Sequence, residues 1–320
     1  MTDSKLYISI YHYTRDLVHG RYPKIKGLDV SLFRQQLEFF KANYNVVRME
    51  QVIESIKGGA TLPDKALLLT FDDGYIDNFT VAMPLLEKFG FQGSFFIPGK
   101  TFTTHQLLDV NKLHYTIACT DISRLVADLK EKMDYYRGSE YAYPDTEDLW
   151  KQYAVAGRYD GKETIFVKRM LQTILPEKLR NRISSELFEK YVGITEEQLA
   201  YELYMTKEQI RSMQRHGMFV GVHGYDHYRL GMLPKAQMQQ DILKALETMD
   251  EFINPKEWVM NYPYGDYSDD VVEFVKENGA CVGLTIEPRI VDFRKDSALL
   301  LPRLDCNDFP PKSESYRQYE

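Results

Sequence analysis

The chain alternates short apolar strands with helical segments, and that alternation is the strongest constraint on its fold. KALLLTF (65–71) does not alternate apolar with polar, the pattern of a strand covered on both faces and so central in a parallel sheet. LYISI (6–10), NVV (45–47), GSFFI (93–97), MFVGV (218–222), EWVMNY (257–262), CVGLTI (281–286) and LLLPRL (299–304) read as further strands. Helical spacing fills the gaps. SLFRQQLEFFKANY sets Leu32, Phe33, Leu37 and Phe40 on one face with Asp29 or Ser31 as cap. MEQVIESIKGG closes at Gly58-Gly59, and a helix over 77–89 stops at Gly90. A later helix opens on Pro234, and SDDVVEFVKEN runs from its cap Ser268 to Gly279. Repeated strand–helix–strand units build a parallel sheet under helices, and about eight of them predict an α/β fold: a distorted or incomplete (β/α) barrel.

Residues from about 103 to 210 break this rhythm. DISRLVADLKEKM places Ile122, Leu125, Val126, Leu129 and Met133 on one helical face. LPEKLRNRISSELFEKYVG begins at Pro176 and ends at Gly193, and Thr195 with Gln198 and Thr206 with Gln209 have capping-box spacing. SEYAYPDTEDLW (139–150) reads as loop. The expectation is one barrel domain over 1–320 carrying a mostly helical insertion, rather than a second independent domain. Such an insertion, beginning just after the fourth strand, suits a lid or wall over the barrel mouth.

A length of 320 residues is compatible with a single barrel. The net charge of −7 gives no support to a nucleic-acid or anionic-membrane partner. Cys119, Cys281 and Cys306 are odd in number and far apart, which argues against a disulfide framework and fits a reducing compartment. MTDSKLYISIYHYTRD has neither the basic nor the apolar region of a signal peptide, and no apolar run approaches membrane-spanning length. The expected setting is cytoplasmic.

Reactive groups of parallel α/β folds gather where strands end at their C-terminal side. Here the first strand ends in Tyr11-His12-Tyr13 and the third in Asp72-Asp73-Gly74. Later ones end in HGYDH (223–227), in YPYGD after the 257–262 strand, and in PRLD (302–305). The ionisable residues therefore converge on one face. Two adjacent carboxylates at a buried strand end repel each other and are costly to desolvate unless a cation compensates. His223 and His227, four residues apart, allow both imidazoles to approach one ion, and one carboxylate completes two histidines and an acid. That set suits zinc or another late first-row divalent ion. One aspartate would then ligate and the other act as base toward a water.

Each signal is weak alone. An HxxxH is commonly structural, Asp-Asp-Gly is also a turn signal, and His12 suits a packed strand end equally well. Their joint placement at successive strand ends is what points to a site. Two other chemistries are excluded. Five residues separate Gly93 from Gly99 where a phosphate loop needs four, and no GxSxG elbow supplies a serine nucleophile.

With TFDDGY, HGYDH and YPYG in this order, the sequence resembles the polysaccharide deacetylase family, also called the NodB-homology domain or carbohydrate esterase family four. The resemblance covers residues 5–100 and 215–305. It implies a metal-dependent hydrolase that removes an N-acyl group, N-acetyl foremost, from an amino sugar, with one divalent ion, zinc foremost and cobalt or nickel as alternatives. Position by position it implies Asp72 as general base, and Asp73, His223 and His227 as metal ligands. The Tyr264 backbone N–H would serve as oxyanion donor, and Tyr262, Pro263, Tyr264 and Asp305 would line the sugar site.

The chain departs from the family pattern twice. Asn261 stands where many members have arginine, and Arg303 is the substitute expected to hold the base. No C-terminal Leu-x-His is present, so His12, with Asp305 behind it, is expected to protonate the leaving amine. The expected partner is an acylated amino sugar, nucleotide-linked, lipid-linked or oligosaccharide, as a precursor in surface polysaccharide biosynthesis. A lipid-linked formamido sugar, or a non-catalytic sugar-binding role on the same fold, are the alternative readings.

Overall fold

A computed structural model of the chain describes residues 5–138 and 140–319. Its strands are β1 (Lys5–Tyr11), β2 (Thr14–Arg15), β3 (Leu28–Asp29), β4 (Asn45–Val46), β5 (Ala66–Phe71) and β6 (Gly93–Ile97), followed by β7 (Phe219–Val222), β8 (Trp258–Asn261), β9 (Ala280–Leu284), β10 (Val291–Asp292) and β11 (Leu304–Asp305). The main sheet runs β10-β1-β5-β6-β7-β8-β9, with β4 also on β5 and β11 also on β1. Every pairing in it is parallel except β1 with β10. This is the expected α/β architecture, a curled, incomplete barrel of mostly parallel strands among helices.

The last expected strand is realised differently. LLLPRL does not form one continuous strand: Leu301 bridges Leu284 beside β9, and Leu304 pairs with Ser9 of β1. Pro302 lies between the two pairings and has no N–H to continue a ladder. The segment therefore joins the two margins of the sheet and carries Arg303 inward.

Strand period decides which side chains meet. Leu6, Ile8, Leu68, Phe96, Val259, Val282 and Leu301 form one core, inside the curl. Tyr7, Leu67, Leu69, Phe95, Val220, Val222 and Met260 belong to the other, under the helices. Both cores are built from the same strands because successive residues point to opposite faces. Thr70 of β5 and Asn261 of β8 share the inner parity, and His12 and Asp72 continue it past the ends of their strands.

The helices follow the local signals. Asp29 caps Val30–Asn43 by accepting from the Ser31 N–H, and Ser268 caps Asp269–Glu277. The helix expected over 77–89 opens with a π-helical turn, Asn78–Ala82, then becomes Met83–Phe89 and ends at Gly90 in the left-handed conformation.

The chain divides into two compact units. Met1–Asp16, Gly27–His105 and Glu202–Glu320 hold the sheet; Leu17–Lys26 and Gln106–Tyr201 form the helical unit. The latter has its own core, with Leu125, Leu129, Phe166, Leu179, Ile183 and Leu187 among its buried residues. The stretch read as loop at 139–150 turns helical at Thr146, capped by Asp145; Ser139 lies outside the described residues. The three cysteines are free thiols. No helix among the described residues is long and apolar enough to cross a membrane.

Candidate active site

The two adjacent aspartates have different environments. Tyr11 and Phe71 are register partners in β1 and β5, so the next residues, His12 and Asp72, emerge side by side. Asp72 is buried, and Arg303 grips it with both terminal nitrogens, Nη1 to Oδ1 and Nη2 to Oδ2, each at 2.9 Å. The same guanidinium donates to the Thr285 carbonyl at 2.8 Å, to Thr70 Oγ1 at 3.0 Å and to Asn261 Oδ1 at 2.8 Å. Arg303 itself is 1% exposed, so its charge depends on this ring of acceptors. Burial opposes ionisation of Asp72, but the Arg303 guanidinium outweighs it and holds the carboxyl below its ordinary range.

Asp73 turns away from its neighbour. Its φ of +72 lies in the left-handed region, as does Gly74 at +69, and this reverses the chain directly after the strand. Asp73 Oδ2 accepts from the Tyr75 hydroxyl at 2.5 Å, while Oδ1 is buried without a hydrogen-bond partner. That orphaned oxygen faces His223 Nε2 at 3.4 Å and His227 Nε2 at 3.2 Å. His223 Nδ1 meets the Asn261 carbonyl at 2.6 Å, so Nδ1 carries the proton and Nε2 presents its lone pair.

Three potential ligand atoms thus converge in a buried space, the one such cluster among the described residues. Two ligands on bonds of about 2.0–2.1 Å at the tetrahedral angle lie about 3.3 Å apart, so the spacing fits a small divalent ion. Burial lowers the His227 pKa, favouring the neutral ring a metal needs. Burial also opposes ionisation of Asp73, yet the adjoining imidazoles keep its carboxyl well below the ordinary range.

The YPYG turn joins the same site. Tyr264 has φ +59, and its ring lies 4.7 Å from that of His227 and under the Arg229 guanidinium at 4.4 Å. Pro263 is buried beside Gly224. Two expected substrate contacts need correction. Tyr262 is 0% exposed, because it shares outer parity with Met260 and packs with the helix-side core. Asp305 accepts from the Asn307 N–H at 2.8 Å and caps a short turn. The carboxylate near His12 is Asp72, at 4.0 Å, rather than Asp305.

Sequence reasoning missed Tyr75, Thr70 and the Asn261 carbonyl. Tyr75 had the nearest thing to a signal, standing two residues beyond Asp73 in the turn.

Fold and site together define an α/β protein with an arginine-clamped carboxylate beside an Asp–His–His centre at the C-terminal ends of parallel strands. The profile of the family described as polysaccharide deacetylase matches residues 59–134 and 143–282, and the chain belongs to that family. A Bacillus subtilis relative named for the same family is 26% identical over 90 residues, 28% of this chain and 32% of its own length. The Escherichia coli poly-beta-1,6-N-acetyl-D-glucosamine N-deacetylase is 42% identical over 67 residues, 21% of this chain and 10% of that enzyme. The matched stretches therefore span a third or less of these relatives. In three dimensions the chain is similar to the Streptococcus pyogenes deacetylase PplD at a TM-score of 0.59, with 18% identity and 99% of each chain covered.

Proposed function

We propose that the chain is a divalent-metal-dependent hydrolase that removes the N-acetyl group of an amino sugar destined for a surface polysaccharide. The observation that carries this is the division of labour between Asp72 and Asp73, one clamped by Arg303 and the other turned toward two imidazole lone pairs. Asp73, His223 and His227 would hold the ion, zinc foremost, with cobalt or nickel as alternatives. A bound ion would supply Lewis acidity to the attacking water and to the acyl oxygen. The name of the Escherichia coli relative supports N-acetylglucosamine chemistry.

This chain's residues would do the rest. Asp72, kept ionised by Arg303, takes the proton of the water as its oxygen adds to the acyl carbon. A carboxylate held this low is a weak base on its own, so it suits a water already acidified. The Tyr264 N–H would meet the developing oxyanion. As the C–N bond breaks, His12 would give a proton to the departing nitrogen, releasing free amine and carboxylate. Its half-exposed ring and its 4.0 Å approach to Asp72 support that role.

The test combines metal analysis with product release. Purified protein should carry near-stoichiometric divalent metal and release acetate from N-acetylated amino sugars. An Asp72→Asn variant should keep the metal and lose release. Full activity in that variant, or no metal in the native chain, would sink the proposal. Formate release without acetate would redirect it to a deformylase.

A further inference from the structure

The residues between His223 and His227 are held from behind by a carboxylate that belongs to none of the strand-end motifs. Asp241, within the helix Lys235–Met249, is 6% exposed. Its Oδ1 accepts from the Tyr225 N–H at 3.0 Å and its Oδ2 from the Asp226 N–H at 2.8 Å. Gly224 belongs to the same fit: its φ is +68, and a Cβ there would stand 3.0 Å from Asp241 Oδ1. From the other side the Gly99 N–H donates to the Gly224 carbonyl at 3.0 Å and the Lys100 N–H to the Tyr225 carbonyl at 3.1 Å. Lys100 Nζ also lies 3.3 Å from Asp226 Oδ1.

Such anchoring answers a need. His227 has φ +61, a conformation that costs a non-glycine residue energy and persists only where its surroundings over-determine it. Left to itself, the four-residue step from His223 would relax and carry the second imidazole off target. A buried carboxylate on a helix face is also costly unless it is fully bonded, and an apolar side chain would pack there without that cost. What an apolar side chain lacks is two acceptors spaced for successive backbone N–H groups.

We propose that Asp241 is a positioning residue for the cation site, fixing residues 224–226 so that the imidazoles of His223 and His227 converge on Asp73 before any ion arrives. This rests on the metal reading above. An outer partner bonded directly to a ligating side chain is worth about ten- to a hundredfold in metal affinity. Asp241 acts one step further out, through the backbone between two ligands, which points to the lower end of that range, about tenfold.

The experiment uses the metal-stripped chain of residues 1–320, with Co²⁺ titrated by its visible absorption and Zn²⁺ by competition. Asp241→Asn keeps the shape but turns an NH2 group toward a backbone N–H. It should weaken both ions by about tenfold and shift the Co²⁺ band, while the metal-free far-ultraviolet circular dichroism stays as in the native chain. A residue that merely supports the helix would leave the Co²⁺ band in place. Gly224→Ala presses on the same contact from the loop side and should move affinity and band in the same direction. Native affinity and an unshifted band in Asp241→Asn would overturn the proposal; should that variant fail to fold, the same result in Gly224→Ala would do so. Absence of Co²⁺ and Zn²⁺ binding in the native chain would remove the metal reading itself, and this inference with it.

Discussion

Arg303 and Asp72 meet as two forks inside the sheet's curl, each terminal guanidinium nitrogen 2.9 Å from its own carboxylate oxygen. They come from opposite ends of the sequence, and the segment that joins the sheet's margins brings them together. The pair separates the two adjacent aspartates electrically. One has its charge matched within the protein, which leaves the other to face the histidines.

Breaking that pair should be costly for the fold as well as for turnover. Arg303→Met leaves a buried carboxylate without its cation, a change worth about 3–5 kcal/mol of stability. Urea unfolding of the metal-free chain measures it. Arg303→Lys keeps a charge but cannot reach both oxygens, Thr70 and Asn261 together, so it should recover only part of the loss. A methionine variant as stable as the native chain would mean that the pair contributes nothing net.

His12 is expected to matter only where the leaving group needs a proton. His12→Asn should lower turnover of an N-acetyl amide by about 10²–10⁴-fold. A phenyl acetate carries a leaving group that departs unprotonated, and its hydrolysis should fall far less. Equal losses on both substrates would assign the ring a binding or structural role instead.

Much of this was legible because strand ends and strand parity are written in the sequence. The strand before Asp72 and Asp73, and the one before His223, were recognisable by their apolar runs, which placed their ends on one face. Parity also explains a miss. Tyr262 follows Asn261 by one residue and therefore points to the helix side, although its type suits a sugar surface. Asp305 likewise has the right chemistry, but its backbone enters a short turn whose first N–H groups require a cap. Asp241 had no local signal at all. It lies on a helix face with Met238, Ile242 and Ala245, and only the tertiary fold reveals which N–H groups it accepts from. The two-part role of 298–305 was equally hidden, since a run of leucines does not say which strand each residue will pair with.

The helical unit offers a pH test of its own. Asp160 bonds Lys168 at 2.7 Å and also pairs with Lys26. Burial opposes its ionisation, but the two lysines outweigh burial and lower its pKa. A carboxyl depressed in the folded state contributes stability that is present above its unfolded pKa of about 3.9 and is lost as pH falls through the folded value. Asp160→Asn should therefore be less stable than the native chain at pH 7, with the difference closing once pH drops below that window. Thermal unfolding across pH 2–7 reads both, in steps of about half a unit through the carboxylate range. A constant difference down to the lowest pH would mean that packing, and not the charge, is what the substitution removes.

The last prediction concerns the hydroxyl that occupies Asp73's second oxygen. Tyr75 donates to Oδ2 at 2.5 Å, and its ring stacks on Tyr13 at 4.1 Å. With Oδ2 engaged, Oδ1 is the oxygen that faces the histidines, so Asp73 is set to offer one atom rather than two. Tyr75→Phe keeps the ring and its stacking while freeing Oδ2. Zinc affinity should fall by about tenfold, the lower end of what losing an outer-shell bond costs. The Co²⁺ spectrum should also move toward a higher coordination number, because a freed carboxylate can close on the ion with both oxygens. Unchanged affinity with an unchanged spectrum would show that the stacked ring alone orients the turn, and that the hydroxyl serves only to keep a buried oxygen bonded.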